Sequence, residues 1–499
     1  MPISFRYALA FWALAAAPPV WAADEIHWTI TGPTSVTLDW RGDDSSLRYG
    51  RSAGYGLHAT GVEPSPPPFS SSGPFYEARL TGLVPGATYH YSIAGGADHV
   101  FHTPPPSEAR FIVYVEADVG DAISYPRVGS IQSLIADGRP DLVLVPGDLT
   151  YADMHGQSAV DQHFNDVMVW SQDAPYMPAW GNHEWDSSGD DLRNYKGRFD
   201  LPHPQTSPGA PSAGGLGEDW SWFDYGNVRF IAYPEPYSGA WADWYPRAKI
   251  LMDQAQADPA IHFIVTYGHR PAYSSGHHLG EPTLASYLDA LGDAHSKYVL
   301  NLNGHSHDYE RTKPQHGVTH VTVGIGGSAL EEESGSCLYD GGCPPPSWSA
   351  FRAFHHGALR LTVSEGSITG EALCGPAGDS DANRNDIACA PGDAFDAFVI
   401  GTQIAQPPLP RSTLALETAS PNPARGAISI TYALQSADPV HFEMADVSGR
   451  IVAQRDLGAP GPGSYTYLVD PALAPTAGMY WIRLSQAGFT RATKVIILR

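Results

Sequence analysis

Five short segments in the middle of the chain carry side chains able to grip a metal ion: Asp118 in Asp-Val-Gly, Asp148 and Tyr151 in GDLTY (147–151), Asn182 in GNHE (181–184), His269 after Gly268, and His305 with His307 in GHSH (304–307). Asp118, Asp148 and Tyr151 offer hard oxygen donors, Asn182 a carbonyl oxygen, and the three histidines imidazole nitrogen. The set exceeds what one tetrahedral ion takes and suits two ions sharing a bridging carboxylate. A phenolate is a hard anionic donor, which favours a ferric ion beside Tyr151. Two ions about 3.5–4 Å apart can clamp a phosphoryl group and lower the pKa of a bridging water. A lone Asp or His in a turn is ordinarily structural; the weight lies in the recurrence, in series, of a donor just after an apolar run.

Donors so far apart in sequence act together only if the fold gathers them. Phe111–Val115 precedes Asp118, Leu142–Val145 precedes GDLTY, a short run ending at Trp180 precedes GNHE, His262–Tyr267 precedes His269, and Tyr298–Leu302 precedes GHSH. Such runs, bounded by turn residues, read as buried strands. Together with Phe230–Tyr233 and Val318–Val323 they alternate with helix-period stretches near 126–137, 157–172, 244–257 and 283–296. The alternation predicts an α/β layered domain over residues 108–401, with ligands collecting beyond the carboxyl ends of its strands. Glycine before most of the donors permits sharp turns where strand meets loop. Residues 24–104 read as a small β-domain of short alternating runs, such as Val36–Trp40, between Gly, Pro and Ser turns. Thr103 and the prolines at 104–106 make a stiff linker. A second Pro-rich linker covers 402–412, and 413–499 reads as a further β-domain. The expected fold class is therefore multidomain: an N-terminal β-sandwich, a central α/β layered sandwich and a C-terminal β-sandwich.

The chain has 499 residues and a net charge of −24. An acidic chain is a poor general binder of nucleic acid or anionic lipid. It also repels phosphate esters at long range, so a site for them needs concentrated positive charge, which bound metal ions supply. The first 23 residues have the form of a secretory signal: Arg6, an apolar run from Tyr7 to Ala17, and small residues at Ala22 and Ala23 before Asp24. No later segment has the roughly twenty continuous apolar residues of a membrane span. In an exported chain the four cysteines pair most naturally as two local disulfides, Cys337 with Cys343 and Cys374 with Cys389, although other pairings are open.

The five segments in this order resemble the metallophosphoesterase family, and most closely its purple acid phosphatase branch. The Tyr of GDLTY, the run GHSHDYER (304–311) and the preceding β-domain ending in TPPP (103–106) carry that resemblance over roughly residues 24–401. Within the first domain, LTGLVPGATYHYSI (80–93) is similar to the corner of a fibronectin type III-like sandwich, where a Pro-Gly turn leads into a strand bearing Tyr89 and Tyr91. The resemblance implies that Asp118, Asp148, Tyr151 and His307 hold a first ion, usually ferric iron. Asp148 would bridge to a second ion, zinc, manganese or iron, completed by Asn182, His269 and His305. It further implies outer-shell roles for His183, His277 and His278, which would bind phosphate oxygens or protonate the leaving group. The implied reaction is hydrolysis of phosphate monoesters by metal-bound hydroxide at acid pH, with small-molecule esters as substrates. Phosphodiester or nucleotide hydrolysis on the same site is an alternative, as is a non-catalytic surface metal-binding protein. The chain departs from the branch at Ala117, where Gly is usual, and in a loop between His269 and the His277–His278 pair that is about one residue shorter. Asp121 is near enough to Asp118 to compete as the ligand.

Two features lie outside that set. DSDANRND (379–386) vaguely resembles a calcium loop, but Arg384 stands at the position where glycine is needed; a solvated loop is the default and a calcium ion at Asp379–Asp386 the alternative. The last domain, with SPNPARGAISITYAL (420–434), MADVSGRIV (444–452) and its ending GMYWIRLSQAGFTRATKVIILR, is similar to C-terminal sorting domains of type IX secretion and to the Ig-like module of flagellar hook-capping proteins. That implies a bacterial source and secretion machinery as a partner. Delivery would be to the cell surface or medium, through the periplasm.

Overall fold

The computed structural model describes residues 23–185, 191–215, 217–331, 345–375, 390–401 and shorter stretches between 415 and 498. The expected signal segment, the second linker, the calcium-like loop and Cys337, Cys343 and Cys389 lie outside the described residues. Cys374 is disulfide-bonded. The chain divides between Thr402 and Gln403 into two compact units.

The first unit opens with seven strands: β1 (Asp24–Gly32), β2 (Ser35–Arg41), β3 (Ser46–Gly50), β4 (Leu57–Thr60), β5 (Phe75–Leu80), β6 (Thr88–Ile93) and β7 (His99–His102). They form two sheets, ordered β1-β2-β5 and β4-β3-β6-β7, with every pairing antiparallel. Alternate side chains from both, including Trp28, Leu38, Leu47, Tyr91 and Phe101, share one apolar core. The Val84 N–H donates to the Tyr89 hydroxyl at 3.0 Å, tying the Pro-Gly turn to the strand after it.

The layers that position the donors follow. Strands β8 (Phe111–Val115), β9 (Leu142–Pro146) and β10 (Tyr176–Ala179) run parallel, separated by helices α1 (Val128–Asp137), α2 (Ala152–His155) and α3 (Ser158–Ser171). After α4 (Arg193–Lys196) come β11 (Trp222–Tyr225), β12 (Val228–Ala232), α5 (Ala240–Ala257), β13 (Phe263–Tyr267), α6 (Pro282–Ala294), β14 (Tyr298–Asn303), β15 (Tyr309–Thr312) and β16 (Thr319–Val323). The unit closes with β17 (Ser349–Ala353), β18 (Gly357–Val363), β19 (Ser367–Cys374) and β20 (Ala394–Gly401). One six-stranded sheet is ordered β10-β9-β8-β18-β19-β20 and one seven-stranded sheet β11-β12-β13-β14-β16-β15-β17. Strand periodicity explains the layering. Val113 and Val115 of β8 and Leu142 and Leu144 of β9 join the core shared with the second sheet. The alternate residues Tyr114, Val143 and Val145 pack with Ile131, Ile135, Phe164 and Val167 of α1 and α3. Strands buried on both faces read as continuous apolar runs, which is why these were visible in the sequence.

Three differences from expectation are physical. Helix α5 starts four residues early and runs through Pro246. Its first turn is anchored by buried Trp241 and Trp244, whose indole N–H groups donate to Pro234 O and Ala232 O, each at 2.8 Å. The donors stand at the ends of strands in two sheets, where the sequence showed only that each follows a strand. Finally, β15 and β17–β20 extend both sheets by antiparallel pairing.

The second unit is built on β21 (Ala415–Leu416), β22 (Ile428–Leu434), β23 (Val440–Asp446), β24 (Ile451–Asp456), β25 (Gly463–Val469), β26 (Gly478–Gln486) and β27 (Phe489–Ile497). These make sheets ordered β21-β22-β25 and β24-β23-β26-β27 around Ile428, Phe442, Met444, Ile482 and Val495.

Candidate metal centre

Each candidate donor stands just past a strand: Asp118 after β8, Asp148 and Tyr151 after β9, Asn182 and His183 after β10, His269 after β13, and His305 and His307 after β14. The backbone turns sharply there. Asp118 (φ 58°), Asp148 (φ 52°), Tyr151 (φ 54°) and His305 (φ 71°) all occupy the left-handed region, strain of the kind that collects at functional sites. Gly181 and Gly304 allow close approach: a Cβ on Gly181 would collide with Asp148 Oδ1, and one on Gly304 with Asp118 Oδ2.

The donors converge as two groups. Ligand atoms of Asp118, Asp148 and His307 lie within 4.8 Å of one another, as do those of Asp148, His269 and His305. Asp148 belongs to both. On the first side, the Tyr151 hydroxyl lies 3.2 Å from Asp118 Oδ1 and 2.9 Å from His307 Nε2. On the second, His269 Nε2 lies 3.0 Å from Asp148 Oδ2 and 3.1 Å from Asn182 Oδ1. Asp121 stays apart: its Oδ1 accepts the N–H groups of Ile123 at 2.9 Å and Ser124 at 3.0 Å. Donor types, burial and a shared carboxylate fit two cations.

Around this core stand His183, His277 and His278, expected from the sequence, and Glu184, Asp153, Arg270, Glu235 and Glu331, which were not legible as site residues. Glu184, fully buried, accepts the N–H groups of Gly181 (2.7 Å), Asp148 (2.9 Å) and Leu149 (2.9 Å), and so shapes the loop that presents Asp148. It sits inside the GNHE segment, so its motif was visible while its task was not. Asp153 holds His183 Nδ1 at 2.8 Å, and the His183 ring lies 4.3 Å from that of Tyr151. Arg270 donates to His305 Nε2 at 2.7 Å and to Glu235 at 3.2 Å. His278 stacks on His305 at 4.0 Å, its Nε2 3.1 Å from Glu331. His277 is exposed and groups with His278 and Glu331 instead of with the two central groups.

Charge is balanced inside the site. Burial disfavours a charged His269, but Asp148 lifts it to about 10; burial likewise disfavours a charged His307, which Asp118 lifts to about 9. Asp148 is held well below the carboxylate range: burial alone would raise it, and His269 and His183 overcome that. Burial, with His269 and Arg270, keeps His305 neutral. A cation bound at these carboxylates would compete with the imidazole protons, so its binding would release them.

Residues 113–309 match the calcineurin-like phosphoesterase family. The chain is 27% identical over 372 residues to purple acid phosphatase 21 of Arabidopsis thaliana, covering 69% of this chain and 79% of that protein. It is 26% identical over 320 residues to a nucleotide pyrophosphatase/phosphodiesterase of Hordeum vulgare, covering 54% of this chain and 82% of the relative. Its fold is shared with a purple acid phosphatase from yellow lupin (Lupinus luteus) seeds, with a TM-score of 0.57 at 21% identity over 76% of this chain and 74% of that one. The central layers are thus similar to calcineurin-like phosphoesterases over residues 113–309. Purple acid phosphatases are among the relatives the chain resembles, and the two candidate donor groups are compatible with a binuclear centre of their kind. No helix among the described residues is long and apolar enough to cross a membrane.

Proposed function

We propose that this protein is a phosphomonoesterase of the purple acid phosphatase kind. The observation that carries the reading is the sharing of Asp148 by two donor groups, with the Tyr151 phenol on one side only. Asp118, Asp148, Tyr151 and His307 would hold a ferric ion; Asp148, Asn182, His269 and His305 a zinc, manganese or ferrous ion. When bound, the ions supply Lewis acidity and an ionised water at modest pH. The chain does the rest. His183, oriented by Asp153, stays protonated: burial opposes its charge, but Asp153 and Asp148 raise it above the ordinary histidine range. It donates to a phosphoryl oxygen as negative charge develops. His278, steadied by Glu331 and by its stack on His305, hands a proton to the leaving oxygen. Exposed His277 contacts the ester from outside.

A phosphodiesterase or nucleotidase reading has the barley relative in its favour, and paired mono- and diester substrates separate the two. The same proposal takes residues 1–23 as an export signal, 24–104 as a fibronectin type III-like domain, and 413–499 as a sorting domain that sends the enzyme to the surface or medium. The test is hydrolysis of an aryl phosphate with an acid optimum, falling about 1,000-fold in Asp148→Asn, together with metal analysis. Two ions per chain and a visible tyrosinate–iron band lost in Tyr151→Phe are expected. A colourless two-zinc or two-manganese enzyme would remove the iron assignment alone. A metal-loaded protein without hydrolytic activity would leave a binding protein.

A further inference from the structure

Among the described residues, one further group of possible metal donors lies apart from the central two: His277, His278 and Glu331, whose ligand atoms lie within 4.8 Å of one another. The fold sets all three on one ledge beside the centre. Gly276 packs so tightly on the GHSH segment that a Cβ there would collide with Ser306 Oγ and Asp308 Oδ2. Ser275 is fastened next to it, its N–H donating to Glu310 Oε2 at 2.7 Å and its hydroxyl to Glu310 Oε1 at 2.8 Å. Glu331 docks on the same segment: its N–H donates to His307 O and its Oε2 accepts the His307 N–H, each at 3.4 Å. Its Oε1 lies 3.1 Å from His278 Nε2, and the His278 ring is held by its stack on His305 at 4.0 Å. The His277 ring stands edge-on to that of His278 at 4.9 Å and is exposed, with room to turn toward a guest.

Two imidazoles and a carboxylate are a donor set that zinc takes with a fourth position left open. In a tetrahedral site with bonds of about 2.0–2.2 Å, neighbouring donor atoms stand roughly 3.4 Å apart. The His278–Glu331 pair, at 3.1 Å, is close to that spacing before any ion enters. Such an ion displaces the proton that His278 shares with Glu331; the proton goes to water, and a doubly charged cation takes its place against the carboxylate. This group is weaker than the centre, with three donors, one of them exposed, against a buried set that shares Asp148. Zinc therefore enters it only once the central sites are filled.

We infer that His277, His278 and Glu331 form a third, inhibitory zinc site, in which the ion occupies the His278 nitrogen that would protonate the leaving oxygen. The inhibition rests on the phosphomonoesterase reading; the site itself does not. The test uses the full-length, untagged protein with its two central ions in place, dialysed to equilibrium against rising zinc. Metal analysis should find a third ion per chain in the parent. Its affinity should fall by at least about 10- to 100-fold in His277→Ala, the loss that even an outer-shell partner brings. Glu331→Gln, which keeps the shape of the side chain without its charge, should weaken it likewise. At saturating ester the third ion should slow hydrolysis of ethyl phosphate about 100-fold. It should leave a dinitrophenyl phosphate, whose leaving group departs as a stable anion, nearly unchanged. Binding that stops at two ions, a third ion equally tight in both variants, or equal slowing of the two esters would overturn the inference and leave the phosphatase standing. A third ion lost in both variants of a chain that hydrolyses neither ester would uphold the site and remove the phosphatase reading instead.

Discussion

Single buried carboxyl groups set the pH behaviour of this protein as much as its chemistry. Asp39 of β2 is 2% exposed, and among the described residues neither carboxylate oxygen has a hydrogen-bond partner. It stands where the N-terminal sheets meet the layered domain, near the Arg198–Glu25 ion pair (2.9 Å) and the Arg41–Asp161 pair (2.6 Å). Burial, reinforced by Glu77 and Asp200, raises it well above its ordinary value, and burial lifts nearby Glu218 to about 8 and Glu25 to about 7. For acids raised in the folded state, stability is full below the unfolded-state pKa. It is lost as pH climbs from there through the folded value. Stability should therefore decline between about pH 4 and pH 8. Asp39→Asn should match the parent near pH 4 and be more stable than it at neutral pH. Denaturant titrations across that range check it, and a variant less stable at every pH would refute the account.

The elements that matter most are turns between strand and loop. At Gly304 an added Cβ meets Asp118 Oδ2 and lies 2.6 Å from Ala117 Cβ. Gly304→Ala should keep the far-ultraviolet circular dichroism of the parent and lower metal affinity about 10- to 100-fold in a chelator competition; unchanged affinity would show that the carboxylate has room to move. Such turns also mark what the sequence could and could not disclose. Strands β8 and β9 were legible because both faces are buried, leaving nothing but apolar residues. Strands β19 and β20 were not. SITGEALC and AFDAFVIG mix Gly370, Glu371 and Asp396 into the run, and Asp396 is accommodated only because Tyr309 and Arg311 donate to it at 2.8 and 2.6 Å. The donors announced themselves by residue type and by the turn before each. Glu184, Asp153 and Glu331 did not, because a carboxylate that orders backbone N–H groups or steadies an imidazole looks like any other acid until the chain folds around it.

At the scale of the whole molecule, the provenance of the donors has a mechanical meaning. Asp118, Asp148 and Asn182 follow strands of the six-stranded sheet, whereas His269, His305 and His307 follow strands of the seven-stranded sheet. Each proposed ion would thus be gripped from both sides of the seam between the layers, like a rivet through two plates. Stripping the ions with a chelator should let the plates part at that end first. Amide hydrogen exchange should quicken in the segments 147–151, 268–270 and 304–308, while the distant sheets β1-β2-β5 and β4-β3-β6-β7 keep their protection. Uniform quickening throughout, or none, would mean that the ions fasten nothing.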